Sequence, residues 1–289
     1  MLDLPILFLL LQAVISVRTE LVAVPVTVTD RRGRHVDGLT QKDFRVFEDG
    51  RLQQISVFHN GEEPITIGLI VDRSGSMRAR EEALGVVVTT LLQSIGRNDE
   101  LFAIGFNDDV SFALPDDRPF THDASEVEFA LFAIPAEGRT ALYDGVAQGL
   151  EHLAHGATGR NVLIVVSDGA DNASRETYEQ VLALARRSQT VIYAIGGLGQ
   201  SADPDMEDTG LLKRLCKDTG GVAYFPRSAK QLADASQRVG RDVRAQYTLG
   251  FVPEARPDAR AFRRIEVKVS AAGRTRIQVR TRSGYVVEP

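Results

Sequence analysis

Four nearly uninterrupted apolar runs constrain the fold of this chain more than any other feature of its sequence. They read ITIGLIVD, ELFAIGF, NVLIVVSDG and TVIYAIGG. Strands without polar and apolar alternation are typical of parallel sheets that helices cover on both faces. The intervening segments EEALGVVVTTLLQSI, ASEVEFALFAI, TALYDGVAQGLEHLA and TYEQVLALARRS carry apolar residues at helical spacing. The alternation predicts an α/β fold, a doubly wound and mostly parallel sheet with right-handed crossovers.

The segments on either side of this region have strand patterns instead. VPVTVT alternates before the turn DRRGR, and FRVFEDGRLQQISVF places Asp49-Gly50 between two apolar runs, which is a strong hairpin signal. After the α/β region come YTLGFVP and then RRIEVKVS and RTRIQVRT, which we expect to form a hairpin around AAGR. Because neither flank can bury much alone, we expect the N- and C-terminal strands to pair into one small β domain.

The sequence therefore divides into four parts. Residues 1–18 are a possible signal peptide or N-terminal anchor, 19–62 an N-terminal β segment, 63–240 the α/β domain, and 241–289 a C-terminal β segment. The apolar residues 4–15 are fewer than the about 20 that a membrane-spanning helix needs. No Lys or Arg precedes them and the cleavage pattern after them is poor, so a cleaved signal, an uncleaved anchor and a misassigned start stay open. We expect an extracytoplasmic protein, whether secreted, periplasmic or anchored.

Composition excludes several classes of function. The net charge of −5 among 289 residues argues against nucleic-acid binding, which usually requires a basic surface. The arginines between residues 260 and 282 alternate with Glu266 and β-branched residues, so we interpret them as the solvated face of a hairpin. A lone cysteine, Cys216, permits neither an internal disulfide nor a cysteine-based zinc site.

Small polar residues follow two of the apolar runs at the point where each run ends. ITIGLIVD ends in Asp72 and leads into RSGSM, whose glycine we expect to let the loop turn tightly so that both serines point the same way. In NVLIVVSDG, Asp168 follows the apolar residues of the run. GRTALYDG places Thr140 where a helical pattern begins. Ligands of open α/β sheets bind outside the carboxyl ends of the strands. We expect five oxygen-bearing side chains to converge there: Asp72, Ser74, Ser76, Thr140 and Asp168.

These side chains suit a hard cation better than a nucleophile. The hydroxyls have no adjacent histidine to act as a base, whereas Mg²⁺ prefers about six oxygen ligands, some of them water. Mn²⁺ accepts the same oxygens, and Ca²⁺ is a further possibility. Only two of the five side chains are charged, so a bound divalent cation would stay electrophilic toward an incoming carboxylate.

The same residues carry a family resemblance. DRSGS is similar to the Asp-x-Ser-x-Ser motif of von Willebrand factor type A (VWA) domains, with Thr140 and Asp168 in matching order, over about residues 65–238. The resemblance implies a metal-ion-dependent adhesion site, in which the serines and the threonine hold Mg²⁺ directly and the aspartates act through water. An Asp or Glu of a protein partner then completes the coordination. The flanks VPVTVTDRRGRHVDGLTQKDFRVFEDG and YTLGFVPEARPDARAFRRIEVKV resemble a bacterial VWFA-related family first described in acidobacteria.

Two features depart from the family pattern. After Ser76 the chain reads MRAR, where integrin-type domains place acids for an adjacent second cation, so we predict no such neighbouring site. The loop GGLGQSADPDMEDTG should lie on the metal's edge of the sheet, where its acids could repel an acidic ligand, bind Ca²⁺ or start a helix favourably. These acids are Asp203, Asp205, Glu207 and Asp208.

The sequence thus favours a Mg²⁺-dependent protein-binding module that is not an enzyme, with membrane contact only through its N-terminal segment. Two alternatives stay open. The first is a metal-dependent hydrolase with Asp168 or Asp72 as base, and the second is a scaffold in which the metal only holds loops together. A metal-free alternative reads the serines as helix caps and the threonine as a helix start. His152 and His155, at i and i+3, lack a third ligand in the pattern, so we interpret them as surface residues at a helix end. The partner and the oligomeric state stay open.

Overall fold

The computed structural model describes residues 21–61, 63–167, 171–197, 209–254, 262–271 and 277–286. Within these ranges no helix has the length and apolar character needed to cross a membrane. Three expectations fall outside the described residues. These are the N-terminal apolar segment, Asp168, and the acidic loop with Asp203, Asp205, Glu207 and Asp208.

The described ranges contain strands β1 to β14 and helices α1 to α6. The strands are β1 (Val22–Thr29), β2 (Phe44–Glu48), β3 (Arg51–Gln53), β4 (Ile55–His59), β5 (Thr66–Asp72), β6 (Glu100–Phe106), β7 (Val110–Phe112), β8 (Asn161–Val166), β9 (Val191–Ile195), β10 (Ala223–Tyr224), β11 (Tyr247–Phe251), β12 (Phe262–Val269), β13 (Gln278–Thr281) and β14 (Gly284–Val286). The helices are α1 (Glu81–Leu92), α2 (Ala124–Ala133), α3 (Leu142–Leu153), α4 (Tyr178–Arg187), α5 (Thr209–Thr219) and α6 (Ala229–Arg244).

The central sheet has six strands in the order β10-β9-β8-β5-β6-β7. All of its pairings are parallel except that of the edge strand β7 with β6. β5 lies between β6 and β8, so its last residue, Asp72, ends in the middle of the sheet. The predicted doubly wound α/β fold is confirmed.

Both faces of this sheet are covered, which explains the uninterrupted apolar runs. Every residue of β5 is buried. Leu69 and Val71 pack in one core with residues of α1, α2 and α6, whereas Ile70 packs in a second core with residues of α3, α4 and α5. A strand buried on both faces needs no polar alternation.

The terminal strands form two further antiparallel sheets, ordered β13-β1-β11-β4 and β14-β12-β2-β3. The two sheets share a core that includes Val24, Val46 and Leu249. Strands from both ends of the chain pair as expected, since β1 lies against β11 and β2 against β12. The Asp49-Gly50 hairpin is also confirmed: both residues have positive φ, 47° and 80°, and join β2 to β3.

The expected hairpin between RRIEVKVS and RTRIQVRT is wrong. β12 pairs with β2 and β14, whereas β13 pairs with β1 in the other sheet. The arginines here are not all solvated either, because Arg263 and Arg282 are each only 4% exposed. Arg263 donates to Glu48 Oε1 at 3.1 Å. Alternation correctly indicates strands, but the choice of partner depends on contacts that are distant in sequence.

Ion pairs and buried hydrogen bonds attach the terminal strands to the α/β core. Asp242 on α6 pairs with Arg280 of β13 and with His35 Nε2, the latter at 2.9 Å. Arg160, which precedes β8, donates to the carbonyl oxygens of Gly61, Glu63 and Val243. α6 continues to Arg244, past residue 240 where the sequence placed the domain boundary.

Candidate functional site

Asp72 is buried at the carboxyl end of the central strand, with no exposed surface. Its Oδ1 accepts the Ser74 amide N–H at 2.8 Å, and its Oδ2 accepts the Ser167 hydroxyl at 2.7 Å. Burial raises the pKa of this carboxyl, and the hydrogen bonds from Ser74 and Ser167 and the charge of Arg80 offset the rise only in part. A nearby cation would therefore stabilise the ionised form of this buried carboxyl.

The two serines that follow Asp72 lie together at the start of a 3-10 helix, Gly75–Arg80. Their Oγ atoms are 3.0 Å apart, and Ser74 is buried whereas Ser76 is exposed. Ser74 occupies the N-cap position, but its side chain makes no capping hydrogen bond. The two hydroxyls thus lie within hydrogen-bond distance of each other next to an exposed residue, and the missing capping hydrogen bond disfavours the interpretation of Ser74 as a helix cap.

A second loop, residues 136–141, lies against residues 72–76; we call these the Gly138 loop and the Asp72 loop. Glu137 donates its N–H to the Arg73 carbonyl at 2.8 Å, and Gly75 donates its N–H to the Gly138 carbonyl at 3.0 Å. Thr140, two residues further on, is buried, and its N–H donates to Asn172 Oδ1 at 2.9 Å. Backbone hydrogen bonds therefore bring the predicted threonine to the side of the site where the serines lie.

The expectation that Thr140 starts a helix is wrong by two residues. α3 begins at Leu142 and Ala141 is its N-cap, without a side-chain cap. The Thr140 carbonyl instead accepts the N–H groups of Asn172 and Ala173, which places Thr140 in an ordered turn before the helix.

The glycine that this site requires is Gly138 rather than Gly75. Gly75 is not among the residues with positive φ, so the tight turn expected there does not depend on left-handed backbone. Gly138 has φ of 76°, and a Cβ at that position would lie 2.0 Å from Asp108 Oδ2. Only glycine adopts this conformation without strain while leaving room for the Asp108 side chain.

Gly138→Ala should destabilise the fold by about 1–3 kcal/mol and weaken Mg²⁺ binding, because the strained loop would no longer meet the Asp72 loop in register. Thermal unfolding and isothermal titration of the EDTA-treated protein would measure the two effects. Gly33→Ala is the matched control, since Gly33 has a similar φ of 71° but open space around its Cβ position. Mg²⁺ affinity that is equal in both variants would contradict a role for the Gly138 loop.

Ser167 is a site residue that the sequence reasoning missed. It is 1% exposed and bonds directly to Asp72, and the register of β5 with β8 pairs the residues just before these two, Val71 and Val166. The signal was present, because a hydroxyl directly follows a buried strand that neighbours β5. Asp168, the residue that the sequence favoured, comes next in the chain and is outside the described ranges.

His152 lies at the end of α3, as the sequence suggested, but it is half-buried rather than fully exposed. Its ring lies 4.4 Å from the Phe102 ring and 4.8 Å from the rings of Phe112 and Phe120. Its Nε2 is 2.9 Å from the Pro119 carbonyl oxygen. His155, by contrast, is exposed. His152 thus joins α3 to the edge of the sheet by packing, which the i, i+3 spacing could not reveal.

The donor set around Asp72 fits a small divalent cation. In an octahedron with metal–oxygen bonds of about 2.0–2.1 Å, neighbouring oxygens are about 2.9 Å apart, close to the 3.0 Å between the serine hydroxyls. That separation also suits a hydroxyl hydrogen bond, so the buried charge of Asp72 is the more telling feature. Among the described residues no group of three or more His, Cys, Asp and Glu could hold a metal.

Comparisons with known proteins agree with the fold. The family model described as von Willebrand factor type A domain matches residues 66–238. A structure titled von Willebrand factor type A from Catenulispora acidiphila is similar at 12% identity and a TM-score of 0.55, over 83% of this chain and 71% of that one. Proximal thread matrix protein 1 from the mussel byssus is similar at 15% identity and a TM-score of 0.54, over 68% of this chain and 51% of its own.

A curated relative matches a smaller part of the chain. It is an uncharacterized protein of Borreliella burgdorferi, 25% identical over 146 residues, which are 44% of this chain and 42% of that protein. The match thus spans less than half of either protein. At these identities the structural likenesses show the fold alone, and the family match carries the assignment.

Proposed function

The chain belongs to the von Willebrand factor type A domain family, and from this premise we propose that it is a metal-dependent protein-binding module. Domains of this family generally serve as interaction and adhesion modules rather than as enzymes. The single observation that supports the metal is the buried, incompletely compensated Asp72 carboxylate beside two facing hydroxyls. The more specific similarity to the acidobacterial family stays a prediction.

Ser74, Ser76 and Thr140 would hold Mg²⁺, with Asp72 and Asp168 as supporting carboxylates, and Mn²⁺ or Ca²⁺ could replace it. When bound, the cation would supply a positive centre to which an Asp or Glu of a protein partner could add its carboxylate. The chain's own residues hold this arrangement in place. Asp72 fixes the Ser74 backbone, Ser167 fixes Asp72, and the Gly138 carbonyl fixes Gly75.

The geometry disfavours Asp72 as the base of a hydrolase. A general base must reach a water or the substrate, but both Asp72 oxygens accept protein hydrogen bonds and the residue has no exposed surface. A metal that only staples loops would not require an exposed ligand residue, whereas Ser76 is exposed. A partner from solution could approach Ser76, so we favour the binding module over both alternatives.

Isothermal titration of Mg²⁺ into the EDTA-treated protein would test this function. We expect the wild-type chain to bind Mg²⁺ and the Ser74→Ala/Ser76→Ala variant to lose that binding, because two direct ligands are removed. Ser111→Ala, an exposed serine on β7, is the matched control and should bind as the wild type does. Unchanged circular dichroism would show that the double variant is folded. Mg²⁺ affinity that survives in it would reject the assignment.

We further propose an extracytoplasmic location, which the apolar residues 4–15 support. N-terminal sequencing of protein from the cell envelope and from the medium would separate a cleaved signal from an anchor. Recovery of the intact chain only from the cytoplasm would reject the proposal.

A further inference from the structure

Arg78 lies at the opening of the site, two residues after Ser76 on the same 3-10 helix. Its side chain is directed at the neighbouring loop: Nε and one terminal nitrogen donate to the Ala136 carbonyl at 3.2 and 3.0 Å. The residue is nonetheless exposed. These hydrogen bonds thus hold the Arg78 guanidinium against the Gly138 loop, whose Gly138 carbonyl accepts the Gly75 N–H.

The charge of Arg78 is not neutralised by an acid in the way that its neighbours are. Arg73 pairs with Glu81 at 2.9 Å, and Arg139 pairs with Asp108 at 2.7 Å. Over the described ranges Arg78 has no carboxylate within ion-pair distance, and its acceptor is a neutral carbonyl. Glu137 is an exposed acid on the adjoining loop. Arg78 therefore keeps a positive charge at the mouth of the site.

We propose that Arg78 binds a second carboxylate of the partner, so that the site selects segments carrying two acidic side chains. This inference rests on the proposed function, in which the first carboxylate completes the metal's coordination. Arginine recognises carboxylates through parallel charge-assisted hydrogen bonds, and Ala136 occupies only one side of this guanidinium.

Ser76 and Arg78 are near each other in the chain but differ in direction. A 3-10 helix rises about 2 Å and turns about 120° per residue, so their backbones are separated by about 4 Å along the axis and about 240° around it. A partner must therefore present two separate carboxylates at short spacing. Alternate side chains of an extended peptide lie on one side at a separation of roughly 6.5–7 Å. A peptide with acids at i and i+2 is therefore the probe that we choose.

The test uses the full chain and two capped synthetic peptides of equal length, one with a single Glu and one with Glu at i and i+2. With Mg²⁺ present, the two-acid peptide should bind the wild type about tenfold more tightly than the one-acid peptide. Arg78→Gln should abolish this difference while Mg²⁺ affinity stays within about twofold. Arg97→Gln, an exposed arginine just before β6 at the opposite edge of the sheet, is the matched control and should retain the preference.

The outcomes separate this inference from the proposed function. Mg²⁺ binding together with an unchanged two-acid preference in Arg78→Gln would overturn the role of Arg78 and leave the metal site standing. Equal binding of both peptides to the wild type would overturn it as well. A wild-type chain that binds no Mg²⁺, or that binds neither peptide when Mg²⁺ is bound, would overturn the proposed function and the inference with it.

Discussion

Asp72→Asn should weaken Mg²⁺ binding by about 10- to 100-fold and, in the absence of metal, make the protein more stable. The loss of affinity follows because an uncharged amide no longer supports the cation, and substitutions of residues that support metal ligands typically cost this much. The gain in stability follows because burial raises the pKa of the Asp72 carboxyl. The folded protein tolerates the charge less well than the unfolded chain does.

The pH dependence of this gain has a definite sign. The raised pKa means that the ionised carboxyl destabilises the fold, and this effect grows as pH rises above the ordinary pKa of an aspartate. It fades in acid, where the carboxyl is protonated in both the folded and the unfolded state. In EDTA, the melting temperature of Asp72→Asn should exceed that of wild type by about 2–4 °C near pH 7. The difference should vanish in acid.

Asp30→Asn is a control for which we expect the opposite change in stability. Asp30 accepts hydrogen bonds from Arg34 and Arg32, chiefly from the Arg34 backbone, which lower its pKa, so Asp30→Asn should reduce stability near neutral pH and lose that effect in acid. Differential scanning calorimetry of both variants across pH would show the contrast. A lower melting temperature for metal-free Asp72→Asn would contradict the view of Asp72 as an uncompensated anion.

Arg282→Met should destabilise the protein by about 3 kcal/mol, the largest effect that we expect from a residue outside the site. The buried guanidinium donates to the carbonyl oxygens of Gly284, Arg186 and Ser188 at 2.8, 3.0 and 3.1 Å. Two of these carbonyls belong to the end of α4, where a cation also meets the negative end of the helix dipole. Methionine fills much of the space but leaves all three carbonyls without this donor.

Urea unfolding would measure this effect and also test how the two parts of the molecule are coupled. Burial lowers the pKa of Arg282 to about 10, so the side chain stays charged near pH 7. If the terminal sheets and the α/β core unfold together, one transition should move to lower urea. Arg187→Met, an exposed neighbour on α4, is the matched control. Equal stabilities of the two variants would show that Arg282 does not join the parts.

Local patterns explain why much of this architecture could be predicted. The strand ending at Asp72 is recognisable because burial on both faces requires a continuous apolar run. The hairpin at Asp49-Gly50 depends on two adjacent residues with positive φ. Asp72, Ser74 and Ser76 come together within one short loop, so their proximity needs no knowledge of the rest of the chain. Whether they bind a metal stays a prediction.

Other features depend on contacts between residues that are far apart in the sequence. Ser167 reaches Asp72 only because β8 pairs with β5 in a particular register. Gly138 is required because Asp108 approaches it from another loop. β12 and β13, which are near in sequence, lie in different sheets because their partners come from the N-terminal segment.

By itself, the sequence determined the α/β class, the ends of the central strands and the short polar loop that follows β5. Each of these depends on side-chain periodicity or on neighbours within a few residues. Only the tertiary structure decided that the Gly138 loop supports the Asp72 loop, that His152 packs among aromatic rings, and that Arg282 is buried on carbonyl oxygens. Such contacts join residues far apart in the chain, and their free energy depends on which surfaces the completed fold brings together.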